Sequence, residues 1–277
     1  MQRKAVVLDL DGTLLNSHKS VSPNTLQAVL GFIQTGNLAV IATARPLRTV
    51  MRLLPQELRS CHLVLCNGAW IVREETVVYR NEIPPCVVLR LTAELARIGL
   101  QPGIEAEDRL YSDLKGDAPS PWVYSPLNEY PGTPACKVLT HVPAGIDMAV
   151  LDAIIPPDLA YVITDQGTLM QIARRSCSKA AACSLIFHTE RVDMANTYAF
   201  GDDTNDISVF EAVGMGIAME NAATELKKVA HAVTTSNDAD GVAAGIAKFV
   251  LGQGAGDLTR MSRQVRWVDT PSAKGPA

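Results

Sequence analysis

A short apolar run, Ala5-Val6-Val7-Leu8, ends abruptly in Asp9-Leu10-Asp11-Gly12-Thr13, and that junction constrains the fold more than any other segment. Four apolar residues bounded by a turn signal read as a buried strand. Two carboxylates then leave the strand and a glycine permits a sharp turn. Polar chemistry at the carboxyl end of a strand is where open α/β sheets gather their ligands. Acids one residue apart repel each other unless a cation lies between them or one keeps a proton. A hard divalent ion such as Mg2+ resolves the conflict with carboxylate, carbonyl and water oxygens. An Asp-Gly turn without chemistry satisfies the same five residues, so the pentapeptide alone leaves both readings open.

The first third of the chain repeats strand and helix. Ser22 is a good N-cap with Pro23 at the first helical position, and Leu26, Val29, Leu30 and Ile33 form one apolar face. Gly36 closes that helix; residues 37–43 return as a strand ending in the Thr43 hydroxyl. Pro46 opens another helix, which Pro55 ends. Leu63-Val64-Leu65-Cys66 reads as a third buried strand, followed by a hairpin, 69–73 and 76–80, around Glu74-Glu75. Such repetition predicts a Rossmann-like α/β fold, a doubly wound parallel sheet with helices on both faces.

From about residue 81 to 175 the pattern changes. A helix over 85–98 stops at Gly99; short strands and a Pro/Gly/Ser-rich stretch, 117–134, follow. Strand 137–142, helix 146–155 and strands 160–164 and 168–173 complete an α+β unit of ordinary domain size. Ser178-Lys179 then starts a helical stretch, 180–187, and strand 197–200 leads into Gly201-Asp202-Asp203-Thr204-Asn205-Asp206. Residues 252–277 lose periodicity and are expected to be disordered or loosely packed.

Composition sets limits. A 47% hydrophobic content with only 5% aromatics supplies a large aliphatic core across 277 residues. The net charge of −4 argues against a nucleic-acid surface. No apolar run reaches membrane-spanning length, and the N-terminus runs straight into a strand rather than a secretory signal; the reading is a cytoplasmic protein. Six cysteines without a Cys-x-x-Cys pair read as buried thiols. Cys61, His62 and Cys66 could be imagined around a soft metal, but Leu63-Val64-Leu65 between them reads as strand core.

Asp9-Leu10-Asp11-Gly12-Thr13, Thr43 at a strand end, Lys179, and Gly201-Asp202-Asp203-Thr204-Asn205-Asp206 stand in an order that resembles the haloacid dehalogenase superfamily of aspartate-nucleophile phosphotransferases. Asn67-Gly68-Ala69 and Ala218-Met219-Glu220-Asn221-Ala222 make it similar to the Cof-type branch. The resemblance covers residues 4–251. It implies a discontinuous hydrolase core, 1–80 and 176–251, and an inserted α+β cap domain, 81–175, ahead of the tail, 252–277.

The resemblance also implies roles. Asp9 is the nucleophile, forming an acyl phosphate that divides hydrolysis into two steps. Asp11 is the acid toward the leaving alkoxide and then the base for the attacking water, a dual role that a nearby anionic group favours. The Asp9 side chain, the Asp11 backbone carbonyl and the Asp202 side chain would hold Mg2+, with Asp206, and less directly Asp203, acting at the metal or through water. Thr43, the N–H groups of Leu10 and Ala44, Lys179 and Asn205 would receive the phosphate. The implied activity is an Mg2+-dependent phosphatase for small phosphate monoesters, sugar phosphates or phosphorylated cofactors, acting as monomer or homodimer.

Two positions depart from the family pattern. Ala44 and Ala180 stand where glycine is usual, and alanine at a positive φ would cost about 1 kcal/mol or more. A phosphomutase, passing the aspartyl phosphate to a sugar, is the nearest alternative; a catalytically dead binding module is another, and a receiver domain fails on motif order. In the insert, Arg109, Tyr111, Trp122, Tyr124 and Lys137 are candidates for substrate contact and equally ordinary core or surface choices.

Overall fold

The structure, a computed structural model, describes residues 2–113, 124–164 and 168–252. Trp122, the side chain of Tyr124, part of the Pro/Gly/Ser-rich stretch and all but the first residue of the tail lie outside the described residues.

The chain opens with β1 (Ala5–Asp9), α1 (Pro23–Gln34), β2 (Leu38–Ala42), α2 (Leu47–Leu53), β3 (His62–Leu65), β4 (Trp70–Arg73) and β5 (Thr76–Arg80). An insert follows: α3 (Pro85–Arg97), β6 (Pro102–Ala106), β7 (Arg109–Ser112), β8 (Tyr124–Ser125), β9 (Lys137–His141), α4 (Met148–Ile154), β10 (Leu159–Thr164) and β11 (Leu169–Arg174). The chain then returns through α5 (Lys179–Glu190), β12 (Thr197–Gly201), α6 (Ile207–Ala212), β13 (Met215–Ala218), α7 (Thr224–Val229), β14 (Ala232–Val233) and α8 (Gly241–Gly245).

Eight strands form one sheet in the order β14-β13-β12-β1-β2-β3-β4-β5. It is parallel from β14 to β3, while β4 and β5 add antiparallel. Every residue of β1 and β2 is buried, as expected of strands covered on both faces, whose sequence is therefore continuously apolar. Helix α1 packs with α8, and α5 with α6, which meets α7. The hairpin turn has Glu74 at φ 49° and Glu75 at φ 62°, the two left-handed positions that a tight two-residue turn needs to match strand twist.

The insert has its own six-stranded sheet, β10-β11-β9-β6-β7-β8, antiparallel except for β7 with β8. It also has its own apolar cluster, including Val88, Leu91, Ile104, Val138, Leu159 and Ile172. Its two crossings lie side by side: Asn81 Nδ2 donates to Ser176 Oγ at 3.0 Å, and the Cys177 thiol donates to the Asn81 carbonyl at 3.0 Å.

Several local readings need correction. The inward face of α1 is Thr25, Val29 and Phe32, with Leu26, Leu30 and Ile33 only partly covered. Asp240 reaches the start of α1 and accepts from the Ser22 and Thr25 hydroxyls, so the Thr25 side of the helix faces inward. Strand β3 begins at His62 and ends before Cys66, whose φ of 50° breaks the extended run. Of the six thiols, Cys86 is exposed, because it sits on the outer face of α3.

Candidate active site

Asp9 is the last residue of β1, Lys179 the first of α5, and Asp202 and Asp206 follow β12. The parallel order puts β1 beside β12, so these groups, far apart in sequence, share one end of the sheet. Ser178 caps α5 by accepting from Ala181 N–H, which fixes where Lys179 begins. Its Nζ donates to Asp9 Oδ1 at 2.5 Å and Asp206 Oδ1 at 2.7 Å, and reaches Asn205 Oδ1 at 3.5 Å.

Oxygens of Asp9, Asp202 and Asp206 lie within 4.8 Å of one another. Three carboxylates against one ammonium leave the cluster short of positive charge. Burial pushes the Asp9 carboxyl well above the usual carboxylate range, against the pull of Lys179 and with Asp206 and Asp202 adding to the rise. Burial likewise pushes Asp202 to about 6, although the Thr13 hydroxyl donates to it at 2.9 Å. Burial works against the Lys179 charge, but Asp206 and Asp9 outweigh it and raise its pKa. An all-oxygen donor set with unbalanced negative charge fits a hard divalent cation.

Two glycines make room for this arrangement. Gly12 has φ 71°, and a Cβ there would lie 2.2 Å from Asp202 Oδ2; a Cβ on Gly201 would lie 2.4 Å from Asp206 Oδ2. Asp206 Oδ2 also accepts from the N–H groups of Asp202 and Asp203, at 3.2 and 3.4 Å, while Asp203 caps the turn through Thr204 N–H.

The Asp11 carboxylate stands apart from the three-acid cluster. It accepts from Arg45 Nε at 2.5 Å, Arg45 Nη2 at 2.7 Å and Lys19 Nζ at 2.9 Å. The anionic neighbour expected to help it keep a proton is replaced by two cations. Burial opposes its ionisation, but Arg45 and Lys19 prevail and lower its pKa.

Thr43 is buried, and its Oγ1 accepts from Arg45 N–H at 3.1 Å. Leu10 is fully buried, backbone included. Neither Ala44 nor Ala180 has a left-handed φ, and Ala180 is the second residue of α5; the strain considered for them is not present. Among the insert candidates, Tyr111 is buried edge-on to Tyr130 at 5.5 Å and Arg109 Nη1 donates to Ser125 Oγ. Lys137 alone of the five is described in contact with the core sheet's loops.

Sequence reading missed Arg45, Lys19, Thr13 and Asn221, whose Nδ2 donates to the Gly12 carbonyl at 2.8 Å. Arg45 carried a signal, a cation immediately behind a strand end. Lys19 carried none, since only the folded loop turns it toward Asp11.

The sequence profile of the haloacid dehalogenase-like hydrolases matches residues 6–246. A 5-amino-6-(5-phospho-D-ribitylamino)uracil phosphatase, YitU of Bacillus subtilis (strain 168), is 27% identical over 86% of this chain and 94% of its own. A pyridoxal phosphate phosphatase, YbhA of Escherichia coli (strain K12), is 25% identical over 88% and 97%. The solved structure of a haloacid dehalogenase-like hydrolase from Bacteroides thetaiotaomicron superposes with a TM-score of 0.77 at 25% identity, covering 89% and 99%.

Proposed function

The chain belongs to the haloacid dehalogenase-like hydrolases, in their Cof-type phosphatase branch, as a phosphoric monoester hydrolase acting on small phosphate compounds; we propose that it does so with Mg2+ through an aspartyl phosphate on Asp9. The observation that supports this reading is the cluster of three carboxylates at the ends of β1 and β12, Asp9 and Asp206 buried against Lys179 and Asp202 half-buried beside them. Mg2+ would be held by the side chains of Asp9, Asp202 and Asp206 and the Asp11 backbone carbonyl, and it supplies the positive charge that a phosphate dianion beside three acids requires.

Asp9 uses one carboxylate oxygen to form a bond to phosphorus as the ester oxygen leaves with its electron pair. Lys179 holds the other side of that carboxylate and offsets the charge that accumulates. The Thr43 hydroxyl and the N–H groups of Leu10 and Ala44 donate to the phosphate oxygens; Asn205 adds a polar contact beside Lys179. The leaving alkoxide takes a proton from Asp11. A water then attacks the aspartyl phosphate, giving its proton to Asp11, and free phosphate and Asp9 result.

Asp11, clamped by Arg45 and Lys19, is set up for the second step, as a proton acceptor. For the first step it must hold a proton, so the clamp must loosen. An incoming phosphate dianion competes for both cations and favours that loosening. The substrates are sugar phosphates or phosphorylated cofactors, in keeping with the phosphorylated ribityl and pyridoxal compounds named for the two relatives.

Phosphate release over a panel of such monoesters, with Mg2+ and with a chelator, tests the reading. Turnover in Mg2+ that vanishes with chelator is expected; full turnover in the chelator would overturn it. Trapping a phosphorylated peptide that carries Asp9 checks the intermediate.

A further inference from the structure

Three side chains of the insert converge on residues 44–48 of the core, which begin one position beyond Thr43. Lys137 Nζ donates to the Ala44 carbonyl at 3.0 Å. Asp108 accepts from Arg48 N–H at 2.9 Å, giving the start of α2 the carboxylate cap that Pro46 does not supply. Glu105 takes the Arg48 guanidinium with both oxygens, one contact at 2.9 Å. Glu105 and Lys137 are themselves register partners across β6 and β9.

Lys137 is unusual within this group. It is buried, yet the acceptors it meets are neutral, the Ala44 carbonyl and Gln171 Oε1 at 2.7 Å. Glu105, the nearest carboxylate in register, is taken up by Arg48. A buried ammonium with neutral acceptors is costly to keep, and here its hydrogen bond goes to the peptide next to Thr43.

That peptide is held at both ends. Its carbonyl, from Ala44, accepts from Lys137; its N–H, from Arg45, donates to Thr43 Oγ1 at 3.1 Å. Once the hydroxyl oxygen accepts that N–H, its own proton is directed elsewhere, to the place a phosphate oxygen takes in the proposed reaction. We propose that Lys137 is a positioning residue: docking of the insert fixes the Ala44–Arg45 peptide through Lys137, which turns the Thr43 hydroxyl into its donating orientation. Phosphate capture and docking of the insert are then one event. This rests on the phosphate-binding role of Thr43 given above.

The test compares Lys137→Met, Lys137→Arg, Thr43→Val and the Lys137→Met/Thr43→Val pair in the full chain. Two readouts are taken: binding of inorganic phosphate by calorimetry with Mg2+, and kcat and KM on the best monoester. Lys137→Met should weaken phosphate binding roughly tenfold or more, the scale of one charge-assisted hydrogen bond, and raise KM more than it lowers kcat. Lys137→Arg should recover most of the loss. Adding Lys137→Met to Thr43→Val should cost little further, because both act on one hydroxyl.

Wild-type phosphate binding in a folded Lys137→Met protein would overturn the inference, as would fully additive losses in the pair. If Lys137→Met does not fold, failure of Lys137→Arg to bind phosphate at near wild-type strength overturns it instead. Phosphate binding is read without turnover, so a chain that binds phosphate through Lys137 and Thr43 but hydrolyses nothing would sink the proposed function alone.

Discussion

Two buried charge clusters lie on either side of the Thr43 loop, and they differ in balance. At the ends of β1 and β12, Asp9, Asp202 and Asp206 meet Lys179 as their cation. At the seam between core and insert, Arg48 and Lys137 stand with Glu105 and Asp108. The seam is neutral as it stands and holds two parts of the molecule together. The site is short of positive charge; Asp202 is pushed up to about 6 there chiefly by burial, with Asp206 and Asp203 adding to the rise. Burial of charge is common to both; only the unbalanced cluster calls for something from outside.

The difference is most sharply broken or kept by Asp9→Asn. Turnover should fall by roughly a thousandfold or more, the scale of losing a nucleophile. The metal-free protein should nevertheless melt no lower than wild type, because one of three crowded carboxylates has lost its charge. A marked drop in melting temperature would mean that the site is balanced after all.

At the seam the same kind of change should do the opposite. Glu105→Gln leaves the Arg48 guanidinium buried without its two-pronged partner, which costs about 3–5 kcal/mol in denaturant unfolding. Replacing Arg48 as well should return part of the loss. A Glu105→Gln protein as stable as wild type would place the seam in water rather than in the interior.

Next in size is the response to metal. Mg2+ at about 100 times its dissociation constant should stabilise the wild-type fold by about 3 kcal/mol, measured as a shift in melting temperature. Asp202→Asn should remove most of that shift, whereas Glu105→Gln should keep it. Equal loss in both variants would erase the distinction between the clusters.

The smallest effect concerns Ala44, which lies between them. With no left-handed φ to relieve, Ala44→Gly should leave turnover near wild type. It should cost stability by about 0.4–1 kcal/mol through the freer unfolded chain. A rise in activity with glycine would show that alanine strains the loop during the reaction.

What the sequence made legible followed local rules. The buried runs of β1 and β2, the cap at Ser22, the helix start at Ser178-Lys179, and the hairpin around Glu74-Glu75 all leave short-range patterns, and each element lies where it was read to within a few residues. The three acids and Lys179 could be picked out because each follows a strand end or a helix cap. Of the clamp on Asp11, Arg45 carried a signal but Lys19 left none, nor did the seam of Arg48, Glu105, Asp108 and Lys137. Most of those pairings join segments tens of residues apart, Lys19 and Asp11 only eight, and only the folded chain determines which side chains meet. The contact of Asp240 with the start of α1 was hidden for the same reason, since the two lie more than two hundred residues apart.

One feature of the core sheet bears on how the chain comes to be folded. Strand β1 lies between β2 and β12, with Ala5 paired to Leu38 on one side and Thr197 on the other. Strand β1 therefore leaves a ribosome long before its neighbour β12 and waits for it. Until β12 has emerged, an apolar strand keeps an open hydrogen-bonding edge, a template for unwanted pairing with other chains. The insert, with its own sheet and apolar cluster, has all its described strand partners within 81–175 and meets no such delay. Chains arrested near residue 210 should accordingly show a protease-resistant insert beside a digestible N-terminal third, and arrest beyond about residue 235 should protect both.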